Sequence, residues 1–81
     1  METQGLIVDY DREGDILHID TCEPYAEQDS DEVGDGVIAR FNPKTRAIEN
    51  LEILFYSSRL LRKEHFKLPI QAHLQLLKIA A

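Results

Sequence analysis

The stretch Leu6-Ile7-Val8-Asp9-Tyr10 places Leu6, Val8 and Tyr10 on one face, the two-residue period of a half-buried strand. Asp11-Arg12-Glu13-Gly14-Asp15 follows, and Ile16 to Asp20 then sets Leu17 and Ile19 on one face. A first hairpin with a five-residue loop is predicted. From Gly36 to Asn42, Val37, Ala39 and Phe41 alternate with Ile38 and Arg40. Asn42-Pro43-Lys44-Thr45-Arg46 has proline where a type I turn favours it, and Ala47 to Tyr56 is rich in aliphatic, β-branched and aromatic residues, so a second hairpin closes there. Leu51, Ile53 and Phe55 share a face and Ile48 falls on the other; a bulge near Glu49-Asn50, or a partly covered second face, accounts for that break.

Between the hairpins, Thr21 to Asp35 has no period, contains Pro24 and carries six acids, and reads as a solvated loop with a short ordered piece around Glu32-Val33. After Tyr56 the period lengthens. Ser57 or Ser58 suits a helix N-cap, and Arg59 to His65 holds strong helix formers, so a short helix is expected to run until Leu68-Pro69 stops it. Ile70, Leu74, Leu77 and Ala81 recur at i, i+4, i+7 and i+11, with Leu76 and Ile79 widening the stripe, which predicts an amphipathic helix over 70–81. The expected fold is α+β: a four-stranded antiparallel sheet of two β-hairpins (residues 6–56), then a helical tail (57–81) of one short and one longer helix packed on one face. All of 1–81 forms one domain.

At 81 residues, 43% apolar and 30% charged, the chain is globular but small, and its stability is thin. One sheet face carries Leu6, Val8, Leu17, Ile19, Val37, Ala39, Phe41, Leu51, Ile53 and Phe55. The first helix is only about 10 Å long and cannot cover that face. A homodimer is therefore expected, with Ile70, Leu74 and Leu77 covering the sheet in their own copy or across the dimer.

Charge is unevenly divided. Met1 to Asp35 holds twelve acids and one base, a net −11, and Gly36 to Ala81 holds eight bases and three acids, a net +5; the whole chain is −6. Either the halves neutralise each other on folding or the acidic segment meets a basic partner. The candidate interaction residues are Glu23, Glu27, Asp29, Asp31, Glu32 and Asp35. Arg59, Arg62, Lys63 and Lys67 would form a basic stripe on the first helix, but the overall negative charge argues against nucleic acid as a partner.

Chemistry-bearing patterns are sparse. His18, His65 and His73 are scattered, and Cys22 lies four residues from His18, roughly 13 Å along a strand, too far to share an ion. Asp29-Ser30-Asp31 followed by Gly34 begins like a calcium loop, then fails at Val33 and at Arg40, where a bidentate glutamate belongs. There is no G-x-S-x-G and no phosphate-cradling glycine loop. No cofactor, metal or catalytic residue is expected. The single cysteine forms no internal disulfide, METQGL lacks the order of a secretory signal, and the longest apolar run, Ile53 to Tyr56, is far short of the roughly 18 residues of a membrane span, so a cytoplasmic protein is expected.

Three segments carry a family likeness: Tyr10-Asp11-Arg12-Glu13-Gly14-Asp15-Ile16-Leu17-His18-Ile19, then Val33-Gly34-Asp35-Gly36-Val37-Ile38-Ala39-Arg40-Phe41, then Ile48-Glu49-Asn50-Leu51-Glu52-Ile53-Leu54. Together they resemble the domain-of-unknown-function 2283 family of small, mostly prokaryotic proteins, over roughly Ile7 to Phe55. The marks are a tyrosine-aspartate turn before a D-x-L-x-I strand and a glycine-aspartate-glycine lead-in to a strand, followed by E-x-L. The resemblance implies a small antiparallel sheet with helical packing; the family has no established activity, so it carries over no catalytic residues. Some members resemble the smaller partner of predicted toxin–antitoxin pairs, which implies protein binding; the tail after Tyr56 lies outside the likeness.

The leading functional expectation is a non-catalytic intracellular interaction module, antitoxin-like, whose acidic loop faces a basic partner. One alternative is a structural homo-oligomer or regulator without a charge-driven partner. The other is a small enzyme or ligand binder using Asp11, Glu13 and Asp15 on the first hairpin loop.

Overall fold

The computed structural model describes residues 5–62 and 66–77. In chain order its elements are β1 (Ile7–Asp11), β2 (Ile16–Asp20), β3 (Asp29–Gly34), β4 (Val37–Phe41), β5 (Ile48–Leu54) and α1 (Tyr56–Leu61). The strands form one antiparallel sheet in the order β1-β2-β5-β4-β3. The protein is thus mostly β, with five strands and one short helix among the described residues, where the sequence pattern led to an α+β fold of four strands and two helices.

The additional strand is the acidic segment. Asp29-Ser30-Asp31-Glu32 lacks an apolar face, yet it pairs with Phe41-Arg40-Ala39-Ile38 of β4. An edge strand needs only its backbone groups satisfied on one side, so it forms without apolar alternation. The expected loop there shrinks to 21–28.

Both predicted hairpins form. In the first, the Asp11 carboxylate accepts from the amides of Glu13 (3.1 Å) and Gly14 (3.3 Å), and Asp15 takes a positive φ of 57° to re-enter the sheet at Ile16. In the second, the Asn42 side-chain oxygen accepts from the amides of Lys44 (2.9 Å) and Thr45 (3.0 Å), a local bond that asparagine supplies to turns. The register then slips by one residue: Arg40 faces Asn50, but Phe41 faces Ile48, leaving Glu49 as the extra residue of a β-bulge. That slip returns Ile48 to the apolar face.

Paired residues share a face, so the register groups Val8, Tyr10, Leu17, Ile19, Leu51, Ile53, Val37, Ala39 and Phe41 together. Only the middle of this surface is closed off. Val37 (1% exposed), Ala39 (0%), Leu51 (6%) and Ile53 (3%) are buried, with Ile19, Val33, Phe41, Leu68 and Ile70 packed around this core. Phe55 is not in the row. It adopts the left-handed conformation (φ 53°, ψ 43°), turns the chain off the sheet and is exposed.

The C-terminal half departs most from its periodicity. α1 ends at Leu61, and the expected extension falls partly on 63–65, outside the described residues. Residues 70–77 of the expected amphipathic helix are not helical, and 78–81 lie outside the described residues. A helix of twelve residues is marginal in water unless packing supports it. The chain instead crosses the apolar face as an irregular strap. Pro69 lies close against Gly34, Leu68 and Ile70 pack on the core, and Leu77 comes back beside Gly5, just before β1. Of the three residues expected to cover the sheet, Ile70 does so; Leu74 is 79% exposed and Leu77 is also exposed. No helix among the described residues is long and apolar enough to cross a membrane.

This packing sets the cost of truncations. Ile53→Ala is expected to lower the urea-unfolding free energy by about 2–5 kcal/mol, and Leu74→Ala by less than about 0.5 kcal/mol. Equal losses at the two positions would mean that the tail packs as a helix after all.

Candidate functional site

Formation of β3 arranges the candidate acids. Asp29 and Asp31 lie opposite Phe41 and Ala39 and so share the side of the apolar face, while Glu32, opposite Ile38, points to the other side. Asp35 sits in the β3–β4 turn, where Gly36 takes a φ of 69° and a Cβ would run into the Arg59 guanidinium. Glu23 and Glu27 are exposed on the loop leading into the strand. The six acids therefore line one edge of the sheet and its approach. Among the described residues, one ion pair joins the acidic and basic halves: Arg46 to Asp29 at 2.5 Å. The other, Arg40 to Glu52 at 2.8 Å, lies within the basic half.

The loop from 21 to 28 is held by a polar network at the bulge. The Asn50 amide nitrogen donates to Asp20 (2.9 Å) and to the Cys22 carbonyl (2.7 Å), while its oxygen accepts from Gln28 (2.6 Å). Asn50 is the one buried polar residue among those described, and these bonds meet the demand that burial makes on its amide. Its neighbour Glu49 accepts from the Tyr25 hydroxyl (2.6 Å), from Gln28 (3.0 Å) and from Asn42 (3.3 Å). The Tyr25 bond, followed by that of Gln28, holds the Glu49 carboxyl below the usual carboxylate range, and the same bond pushes the Tyr25 phenol up to about 12. Tyr25, Gln28 and Asn50 are missed by motif reading; the signal for them is the broken alternation at Ile48, which marks the bulge.

A second constellation closes the opposite end of the sheet. The Tyr10 hydroxyl donates to Asp15 (2.5 Å), and Ser57 donates to the same carboxylate from its amide (3.0 Å) and its hydroxyl (2.7 Å). The Asp15 carbonyl accepts from the Tyr56 amide (3.1 Å). The cap of α1 therefore comes from Asp15, forty-two residues upstream of Ser57, and not from the oxygens of Ser57 or Ser58. The Tyr10 bond, then those of Ser57, depress the Asp15 pKa, and the Tyr10 phenol is raised chiefly by the same bond.

The basic stripe does not form as one helix face. Arg59 turns inward, donating to the Leu54 carbonyl (2.9 Å) and the Asp35 carbonyl and stacking over Phe66 at 4.3 Å. Lys67 follows the helix, and Lys63 lies outside the described residues. Among the described residues no three His, Cys, Asp or Glu side chains gather to hold a metal ion. Asp29 and Asp31, extended in a strand, present no loop of converging oxygens.

Both tyrosine–carboxylate pairs link folding to pH. Glu49 and Asp15 have folded pKa values below their usual ones, so their stabilisation is complete above about pH 5 and is lost as pH falls through the lowered values. Tyr10 and Tyr25 have raised values, so their contribution is complete below about pH 9 and is lost as pH rises through them. A plateau between these limits is expected in the denaturation midpoint, and Glu49→Gln should flatten both the acid and the alkaline flank. An unchanged profile in that variant would count against the Tyr25–Glu49 bond.

Residues 7–57 match the family described as "Protein of unknown function (DUF2283)". No curated protein and no solved structure matches the chain. The matched span contains all five strands, both polar networks and every acid of the edge, and its marks now have physical roles: Tyr10 and Asp15 cap the helix, Gly36 permits the turn, Glu49 anchors the loop and Leu51 fills the core. By that match the chain belongs to the DUF2283 family of proteins of unknown function.

Proposed function

We propose that this chain is a non-catalytic intracellular interaction module whose acidic edge, β3 with the loop before it, receives a basic segment of another protein. The observation that carries this reading is the sparse neutralisation within the chain: among the described residues, Asp29 alone of the six candidate acids is in an ion pair. The field of the others stays open to solvent, where it attracts a cationic surface and speeds its encounter. Among the described residues no strand pairs with the outer side of β3, which supports the addition of a strand there, a common way of binding an extended peptide. An antitoxin-like role is the narrower form of this proposal, in which the basic partner is a small protein held inactive by the contact.

Of the carboxylates that motivate the carboxylate-enzyme alternative, Asp11 is engaged by turn amides and Asp15 by Tyr10 and Ser57, which supports the non-catalytic reading over it. A carboxylate held in two or three hydrogen bonds at a turn is a poor general base. The single cysteine, Cys22, is free, in keeping with a reducing compartment.

The test is affinity capture from the native host at low salt, with a variant carrying Glu27→Gln, Asp31→Asn, Glu32→Gln and Asp35→Asn as the comparison. A lysine- and arginine-rich protein should be recovered with the parent and at least tenfold less with the variant. It should also be released as salt shortens the Debye length from about 10 Å toward 3 Å. Recovery of no basic protein, or equal recovery by both chains, would overturn the proposal.

A further inference from the structure

β3 forms without apolar alternation, and for the same reason it has little of its own to hold it in the sheet. Val33 is its one apolar residue, and Asp29 to Glu32 are exposed. Its strand partner is β4 alone, and the net gain of a backbone hydrogen bond does not exceed the entropy cost of ordering the residue that makes it. The Arg46–Asp29 pair is itself exposed and adds little. Contacts beyond the ladder must therefore fix the strand.

Those contacts come from the strap, and they gather at one end of β3. The β3–β4 register shifts between Glu32 and Gly34, which leaves Val33 as the extra residue, half-buried against the same core on which Leu68 and Ile70 pack. A Cβ on Gly34 would lie 3.3 Å from the Pro69 ring, so the strap passes directly over the strand there. In the turn that follows, Arg59 donates to the Asp35 carbonyl and to the Leu54 carbonyl (2.9 Å), and its guanidinium lies 4.3 Å from the centre of the Phe66 ring. Residues 66–70 thus seat on the end of β3 directly and on the β3–β4 turn through Arg59. The contact of Leu77 beside Gly5, at the far end of the strap, falls before β1 and outside any strand.

We propose that the strap is a clasp on the acidic edge: β3 stays in the sheet only while residues 66–70 are seated, and lifting them releases β3 while β1, β2, β4 and β5 remain folded. The strand and the strap form one cooperative unit that opens below the free energy of global unfolding. The functional consequence rests on the reading of that edge as the site for a basic segment. Release of the strap withdraws the ordered strand from the partner, and a segment bound along β3 favours the seated strap by the same factor by which the seated strap favours binding. The strap lies outside the 7–57 family match and the acidic strand lies inside it, so the clasp joins the family domain to the segment that follows.

The test is amide hydrogen exchange of the full chain, followed by nuclear magnetic resonance without any partner, so that its failure is distinct from failure of the basic-partner reading. Phe66→Ala removes the ring from Arg59 and takes nothing from the buried core. It should quicken exchange of the β3 amides that pair with β4 by about fivefold, with the amides of the β2–β5 ladder unchanged. Gly34→Ala acts from the opposite side, by pressing a methyl group on Pro69. It should quicken the same β3 amides and move the Leu68 and Ile70 methyl resonances toward their unstructured positions. Leu74→Ala, at an exposed position of the strap, should change neither. β3 exchange at the parent rate in either variant, equal quickening across β2 and β5, or quickening in Gly34→Ala with the Leu68 and Ile70 resonances in place would each overturn the proposal.

Discussion

The position of β5 is the constraint on which the rest of the fold depends. β1 with β2, and β3 with β4 and β5, are local ladders, but only the β2–β5 pairing joins them into one sheet. That pairing spans thirty residues between Asp20 and Asn50, so its loop-closure cost must be met by contacts made at the join itself. Leu51 and Ile53, facing Ile19 and Leu17, supply the apolar part. Asn50 supplies the polar part: it is buried, and its amide is satisfied by Asp20, by the Cys22 carbonyl and by Gln28, all from the crossing segment or the strand before it. The β-bulge at Glu49 permits this, because it re-aims the chain so that Glu49 can hold Tyr25 and Gln28 while Ile48 returns to the apolar side.

What the sequence made legible follows from that division. Alternation reveals a strand when one of its faces is apolar, and β1, β2, β4 and β5 all carry such a face, buried in β4 and β5 and exposed in β1; their turns were legible because Gly14, Asn42 and Pro43 have strong local preferences. The break at Ile48 pointed to the bulge for the same reason. β3 was illegible because an edge strand answers to the backbone of β4 and not to any apolar period of its own. The tail misled in the opposite way. Its spacing at Ile70, Leu74 and Leu77 describes the stripe a helix would present, but only a receiving surface can stabilise so short a helix, and Leu68 and Ile70 take the available core contacts in an irregular path.

The acids illustrate why residue type alone does not define a site. Asp11, Asp15 and Glu49 are as acidic in composition as Glu27, Asp31 and Asp35, yet geometry commits the first three to a turn, a helix cap and a loop anchor, and Glu32 likewise accepts from the Gly36 amide (3.2 Å) in the β3–β4 turn. Most of the family marks fall on this first group, with Asp35 of the glycine-aspartate-glycine turn the exception, so the residues that distinguish the sequence as a family member are chiefly those that build the scaffold. Tyr10 is a further case, since its ring packs at 5.9 Å from Tyr56 while its hydroxyl fixes Asp15. Function, on the reading adopted above, belongs to the carboxylates that the scaffold leaves unengaged.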